Sequence, residues 1–119
     1  MVKEKLIYFC SLHATCMTLS NREKAAYRFK PGDSEGFVNL PLAVKSVRIS
    51  GLFTENRDGK YVRVSLRSKG NTDVNMLARK YFNGGGHKNA AGGRLYIPLE
   101  EVPQYFENSV REYLSEGKK

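Results

Sequence analysis

The most informative stretch of the chain is residues 84–93, which read Gly84-Gly85-Gly86-His87-Lys88-Asn89-Ala90-Ala91-Gly92-Gly93. Half of these residues are glycine, which loses more backbone freedom on folding than any other residue. A glycine-rich main chain can turn sharply and approach a ligand closely, and its consecutive N–H groups can form an anion-binding concavity. A flexible turn is the alternative for the glycines alone, but His87 and Lys88 add donors and positive charge. The stretch therefore predicts a phosphate-binding loop, to which a following helix N-terminus would add its dipole.

A second candidate site lies upstream, in the segment Ser65-Leu66-Arg67-Ser68-Lys69. Apolar and polar residues alternate here, so we expect Leu66 in the core and Ser65 and Arg67 on the opposite face of a strand. An arginine flanked by hydroxyls can hold a phosphate through two parallel hydrogen bonds. A solvated strand face is the alternative reading. If the sheet brings this strand beside residues 84–93, the two segments form one anion pocket.

The charge distribution supports an anionic partner. The chain carries a net charge of +8 with a pI near 9.6. Residues 60–94 hold eight Lys and Arg against the single Asp73, a net +7, whereas residues 1–59 contribute +3 and residues 95–119 contribute −2. This concentration favours a nucleic acid or nucleotide partner.

Length and composition predict one globular domain. The chain has 119 residues, of which 40% are apolar. No apolar run approaches the roughly 20 residues that a membrane helix needs, and the N-terminus lacks a signal-peptide pattern. Cys10 and Cys16 have no metal-binding spacing, and His13 has no context that suggests more than a structural role. We therefore expect a cytoplasmic protein with no membrane partner and no metal site of its own.

The secondary-structure signals predict a mixed α/β domain. We expect a buried strand over residues 6–10, a helix capped by Ser20 and Glu23, and a second short helix over residues 34–40. A hairpin should join residues 47–53 to residues 61–67 across Asp58-Gly59. Three further elements are predicted: a helix from a Thr72 cap to residue 82, a strand over residues 95–97, and a helix over residues 100–115 whose first turn contains Pro103. The expected fold is a single mixed sheet of four to five strands with helices packed on it.

Four motifs, taken together, point to a known family. They read Asp33-Ser34-Glu35-Gly36-Phe37-Val38-Asn39, Ser65-Leu66-Arg67-Ser68, Asp73-Val74-Asn75, and Gly84-Gly85-Gly86-His87-Lys88-Asn89-Ala90-Ala91-Gly92. This combination closely resembles the C-terminal, DHH-associated domain of DHH-family phosphoesterases. The resemblance covers most of the chain from about residue 30 onward. Within the family it is nearest to the bacterial nanoRNase (oligoribonuclease) and phosphoadenosine-phosphate phosphatase branch.

The resemblance implies a substrate-binding domain of a larger hydrolase. In that family a separate DHH domain holds Mn²⁺, and the C-terminal domain closes over the substrate. The resemblance places substrate or phosphate contacts at Arg67, Ser68, Gly84, Gly85, Gly86, His87, Lys88, Asn89 and Ala90. No Asp-His-His sequence occurs in the chain, so it offers no catalytic residues of that kind. We therefore expect residues 1–119 to be one domain of a longer enzyme, without cofactor or activity by itself.

Three functions follow from these observations. The leading one is binding of short RNA or nucleotide phosphates, next to the DHH domain of a phosphoesterase that hydrolyses short RNA or nucleotide bisphosphates. The alternative is a free-standing RNA-binding module or the similar associated domain of alanyl-tRNA synthetase, for which Tyr61 would offer a stacking surface. An interaction domain with an incidental glycine loop is the third, and it would not respond to nucleotides.

Overall fold

The computed structural model describes residues 6–26 and 46–116. The helix predicted over residues 34–40 and the motif at residues 33–39 lie outside the described residues. The strands are β1 (Leu6–Phe9), β2 (Ala14–Leu19), β3 (Ile49–Glu55), β4 (Val62–Ser68), β5 (Gly85–His87) and β6 (Ala90–Leu95). The helices are α1 (Asn21–Ala26), α2 (Val74–Tyr81) and α3 (Val102–Glu116), with 3₁₀ turns at Cys10–Leu12 and Leu99–Glu101.

The strands form one mixed sheet, so the predicted fold class is confirmed. Within residues 6–26 and 46–116, six strands lie in the order β1-β2-β3-β4-β6-β5. The pair β2 and β3 is parallel, and every other neighbouring pair is antiparallel. The predicted count of four to five strands is wrong, because β2 and the short β5–β6 hairpin carry weak strand signals. No helix among the described residues has the length and apolar character needed to cross a membrane.

The core lies between one face of the sheet and the helices α2 and α3. Its centre is a group of three fully buried phenylalanines, Phe53 from β3, Phe82 after α2 and Phe106 from α3. Their ring centroids are 5.5 to 6.4 Å apart, and the Phe53–Phe106 pair is edge-to-face. Such pairs are favoured by the ring quadrupole and add to the burial of apolar area. The opposite face of β4, β6 and β5 carries neither helix.

The predicted hairpin and helices form for the expected reasons. The Ser20 amide donates to Glu23 (2.8 Å) and the Glu23 amide donates to the Ser20 hydroxyl (3.1 Å), so the capping box is confirmed. Val62, Val64 and Leu66 are buried as their alternation predicts. Pro103 occupies the second position of α3, within the first turn. The predicted Thr72 cap is wrong by one residue, because the Asp73 side chain accepts the Met76 amide at 3.1 Å.

The strand predicted as buried at residues 6–10 is instead an exposed edge. Leu6, Ile7 and Tyr8 are 38 to 44% exposed, since β1 pairs only with β2. All six residues of β2 are buried, and β2 is the interior strand at this end of the sheet. An apolar run sets the tendency to form a strand but not its place in the sheet, which is decided by pairing.

The two cysteines should differ strongly in reactivity. Burial raises the pKa of the Cys16 thiol to about 12, whereas Cys10 is exposed. The thiolate is the nucleophile, so Cys16 should not react at pH 8 while the chain is folded. We expect a thiol reagent such as iodoacetamide to modify Cys10 alone in native protein, and both residues in denaturant. Mass spectrometry of the digested protein checks this, and rapid native modification of Cys16 would contradict its burial.

Candidate phosphate-binding cleft

A basic cleft of about 720 Å³ lies on the face of β4, β6 and β5 that is opposite α2 and α3. It is lined by Tyr61, Arg63, Val64, Ser65, Arg67, Asn83, Gly84, Gly85, His87, Ala90, Ala91, Gly92, Gly93 and Arg94. The sheet register explains how distant residues meet here: Arg67 lies opposite Ala90, and Ala90 lies opposite His87. The structure therefore places the two candidate segments side by side, as one pocket would require.

The next row of the sheet places little side-chain volume in the cleft, because glycines occupy two of its three positions. Ser65 lies opposite Gly92, and Gly92 lies opposite Gly85. On the opposite face of β6, which is turned toward the helix α2, close packing requires glycine at position 93. A Cβ atom on Gly93 would overlap the carbonyl oxygen of Phe82, which follows α2. The glycines thus serve two purposes: they seat the hairpin against the helix and they leave the main chain open to a ligand.

The glycine-rich stretch is a β-hairpin rather than the predicted loop. Residues 85–87 and 90–95 pair as β5 and β6, and Lys88-Asn89 form the turn. The strand predicted over residues 95–97 therefore ends at Leu95. The next helix, α3, begins only at Val102, so the predicted helix dipole is not supplied at this stretch.

The cleft is cationic. Arg63, Arg67, Arg94 and His87 line it, and its lining contains no Asp or Glu among the described residues. Arg63 lies directly opposite Arg94 in the register, an arrangement of like charges that destabilises a bare sheet. The Arg94 guanidinium lies 4.4 Å from the ring centroid of Tyr61, a cation–π contact. This grouping of charge attracts anions.

Arg67 is the half-buried member of the group. Its Nη1 donates to the carbonyl oxygen of Leu66 at 2.9 Å, which holds the guanidinium near its own strand. His87 is exposed at the opposite side of the same row, on the edge strand β5. An anion between them would therefore meet one half-buried guanidinium and one exposed imidazole.

Four of the predicted site residues do not line the cleft: Ser68, Gly86, Lys88 and Asn89. Ser68 is buried, and its hydroxyl donates to the carbonyl of Thr72 at 2.6 Å. The Asn89 side-chain amide donates to the Ser68 hydroxyl at 2.9 Å. The main-chain carbonyl of Lys88 accepts the amide of Val74, the first residue of α2, at 2.8 Å. These contacts fasten the hairpin turn to the end of β4 and to the start of α2.

Asn75 holds the edge strand and was not among the predicted site residues. Its Oδ1 accepts the amide of Gly86 at 2.8 Å and the Nε of Arg79 at 3.1 Å. The Gly86 amide is therefore engaged within the domain. Asn75 lies within one of the four family motifs, which was the only signal for it in the sequence.

Two charged lining residues were not among the predicted site residues, Arg63 and Arg94, and Tyr61 was named only for the alternative RNA-binding function. Alternation along β4 already placed Tyr61 and Arg63 on the same face as Arg67, so that signal was available. Arg94 follows the glycines in the most basic third of the chain, but only the strand register places it beside Arg63.

Neither histidine belongs to a metal site in the part of the chain that the structure describes, where no cluster of three or more His, Cys, Asp or Glu is found. His13 lies before β2 with a left-handed backbone (φ 53°), and its Nδ1 lies 3.1 Å from the Ser46 carbonyl oxygen. Its contacts are structural and lie outside the lining of the cleft.

Comparison with known families decides the identity. Residues 17–116 match the family model of the DHHA1 domain. The chain belongs to the DHHA1 domain family. The resemblance drawn from the four motifs to the C-terminal domain of DHH-family proteins is thereby confirmed.

Relatives of this DHHA1 domain include a 3′,5′-cyclic-nucleotide phosphodiesterase from Helicobacter pylori, 39% identical over 70 residues. The match covers 53% of the present chain and 20% of the relative. An exopolyphosphatase-related protein from Bacteroides fragilis has a crystal structure with a TM-score of 0.87 and 36% identity, over 99% of this chain and 34% of that one. A pGpG-specific phosphodiesterase from Vibrio cholerae shares the fold alone, with a TM-score of 0.60 and 13% identity over 96% of this chain and 36% of that one. The DHHA1 domain thus spans between a fifth and just over a third of these longer proteins.

Proposed function

We propose that this DHHA1 domain holds the phosphates of short RNA or of nucleotides in the basic cleft. In this proposal it works beside the catalytic DHH domain of a cytoplasmic phosphoesterase that hydrolyses such ligands. The observation that carries the proposal is the cleft itself: three arginines and His87 surround a glycine floor, with no acidic residue among the described lining. A concentration of positive charge beside glycine main chain suits an anion that must approach closely.

The cleft residues would act by neutralisation and positioning. Arg67 can present two N–H groups to two phosphate oxygens, and His87 can donate a third hydrogen bond from the far side of the row. Holding the phosphate in one orientation contributes to catalysis in the neighbouring domain by proximity and charge stabilisation. We expect no hydrolysis from this chain alone, because its described residues offer no ligand set for Mn²⁺. The metal belongs, in this proposal, to the DHH domain.

Two relatives support a phosphate ligand. The relative that is 39% identical is named as a cyclic-nucleotide phosphodiesterase, and the structure that is 36% identical is named as exopolyphosphatase-related. Both names refer to phosphate compounds, a cyclic nucleotide in the first and polyphosphate in the second. An anion-binding cleft is the feature that such substrates have in common.

An NMR titration of amide shifts tests the proposal. We expect adenosine 3′,5′-bisphosphate and a short oligoribonucleotide to shift the amides of Arg67, Gly85, His87 and Ala90 most. Affinity should fall between about 50 and about 200 mM salt, since phosphate contacts release bound counterions. Unphosphorylated adenosine is the control and should leave these amides in place.

Two outcomes of that titration would count against the proposal. Shifts centred on another surface would move the site away from the basic cleft. If millimolar ligand causes no localised amide shifts, the basic cleft of this domain does not bind phosphate.

A further inference from the structure

The end of the basic cleft away from Arg67 is aromatic. Tyr61 precedes β4 and Tyr96 follows β6, and the pairing of Val62 with Leu95 brings the two tyrosines side by side. Their ring centroids are 6.2 Å apart with an interplanar angle of 51°. Tyr96 is 67% exposed, which is high for an aromatic side chain in a small domain. This end of the cleft therefore presents an open ring face to solvent.

The aromatic end also carries charge. The Arg94 guanidinium lies over Tyr61 at 4.4 Å from the ring centroid, and Arg63 lies opposite Arg94 in the register. A guanidinium is planar and stacks on aromatic faces, so Arg94 extends the surface that the tyrosines provide. Tyr61 and Tyr96 also line a neighbouring concavity of about 230 Å³, whose walls include Ile97 and Leu99. Tyrosine rings, aliphatic side chains and the Arg94 guanidinium therefore lie close together at this end of the cleft.

This end lies too far from Arg67 for one nucleotide to reach both. Arg67 and Arg63 are four residues apart on β4, a separation of about 13 Å at roughly 3.3 Å per residue. A stacked strand advances about 3.4 Å per nucleotide, so this separation corresponds to about four stacked nucleotides and to fewer in an extended strand. A ligand with a phosphate beside Arg67 and a base beside Tyr61 therefore needs more than one nucleotide.

We propose that Tyr61, Arg94 and Tyr96 form a base-stacking subsite at the edge of the basic cleft, where Tyr61 and Arg94 line the cleft and Tyr96 lies beside Tyr61. The subsite binds the base of a single-stranded oligonucleotide whose phosphate lies at Arg67 and His87. This inference rests on the proposed function, and it narrows the ligand to chains of two or more nucleotides in preference to single nucleotide bisphosphates. Stacking is tolerant of sequence, since every base has a π-face, so the subsite reads the presence of a base more than its identity.

The test compares three probes on the wild-type chain and on Tyr96→Ala. The probes are 5′-phosphorylated tri-adenylate, an abasic trinucleotide with the same number of phosphates, and adenosine 3′,5′-bisphosphate. We expect the wild-type chain to bind tri-adenylate more tightly than the abasic strand. Tyr96→Ala should weaken tri-adenylate about tenfold, as the loss of one stacked base implies, with the loss confined to that probe. Tyr96→Phe should restore binding, because stacking uses the ring and not the hydroxyl.

Each result bears on a different claim. An unchanged tri-adenylate affinity in Tyr96→Ala, or an equal loss for all three probes, would overturn the stacking subsite. Arg67→Ala distinguishes the stacking subsite from the proposed phosphate site, since it should weaken the binding of all three probes. If Arg67→Ala leaves all three unchanged, the phosphate site itself is wrong, whatever Tyr96→Ala does. Because Tyr96 is largely exposed, its truncation removes little packing and should leave the fold intact.

Discussion

Arg67→Ala is expected to lower the affinity of this DHHA1 domain for adenosine 3′,5′-bisphosphate and for a short oligoribonucleotide about thirtyfold. Arg67 lies in the row that continues through Ala90 to His87, and it is half-buried where the other cleft arginines are exposed. A hydrogen bond to a charged group contributes about 2 kcal/mol, which corresponds to roughly that change in Kd. Isothermal titration of both ligands measures the loss.

Two further variants separate geometry from charge. Arg67→Lys keeps the positive charge but cannot form two parallel hydrogen bonds to one phosphate, so we expect it to recover only part of the affinity. Arg111→Ala is the matched control: Arg111 is an exposed arginine on α3 that pairs with Glu107 at 2.8 Å and does not line the cleft. It removes one positive charge from the chain and should change affinity little at about 150 mM salt.

An equal loss in Arg67→Ala and Arg111→Ala would show that net charge, and not a built site, attracts the ligand. Thermal unfolding of each variant completes the comparison. Arg67 donates to the carbonyl of Leu66, so a change in Tm would show how far its effect comes from the fold.

The elements predicted correctly are those with one buried face. Along β4, Val62, Val64 and Leu66 alternate with polar residues, and that period directly reports which face meets the core. The helix α3 shows the corresponding helical spacing in Val102, Phe106 and Val110, all of them fully buried. In both cases the apolar pattern and the tertiary packing agree, so local sequence is sufficient.

The strand β2 shows why the remainder could not be predicted. Its sequence, Ala14-Thr15-Cys16-Met17-Thr18-Leu19, has no alternation, because residues on both faces are buried. The hydroxyl oxygen of Thr15 has no hydrogen-bond partner among the described residues, although the side chain is only 3% exposed. A strand covered on both faces carries no periodic signal, and two threonines lower its apolar character further.

The hairpin of β5 and β6 was missed for a different reason. Glycine and alanine have little intrinsic preference for strands, so the sequence indicates a loop. The strand conformation is imposed by tertiary structure: β6 pairs with β4, and both strands of the hairpin pack against α2. The same tertiary pairing brings Arg94 beside Arg63, across 31 positions of sequence, and completes a cleft that motif spacing alone showed only at the Arg67 end.

Gly93→Ala is expected to destabilise the domain by about 3 kcal/mol and to lower Tm by on the order of 10 °C. The added Cβ would overlap the carbonyl oxygen of Phe82 and lie 3.2 Å from the Phe82 Cβ. That carbonyl accepts the Arg94 amide at 2.8 Å, and the Phe82 ring packs in the core against Phe53 and Phe106. Moving it would therefore disturb the hairpin and the core together, and thermal and urea unfolding would both report the loss.

Gly92→Ala is the matched control for Gly93→Ala, one residue earlier on β6 and on the opposite face. Its Cβ would point toward the cleft and meet only the carbonyl oxygen of Val64, at 3.2 Å. Alanine restricts the unfolded chain more than glycine, which is worth about 0.4–1 kcal/mol to the folded state and offsets that tight contact. We therefore expect stability near that of the wild-type chain but weaker phosphate binding, because the floor of the cleft gains a methyl group. Equal destabilisation by the two substitutions would mean that β6 needs glycine for its backbone conformation and not for its approach to Phe82.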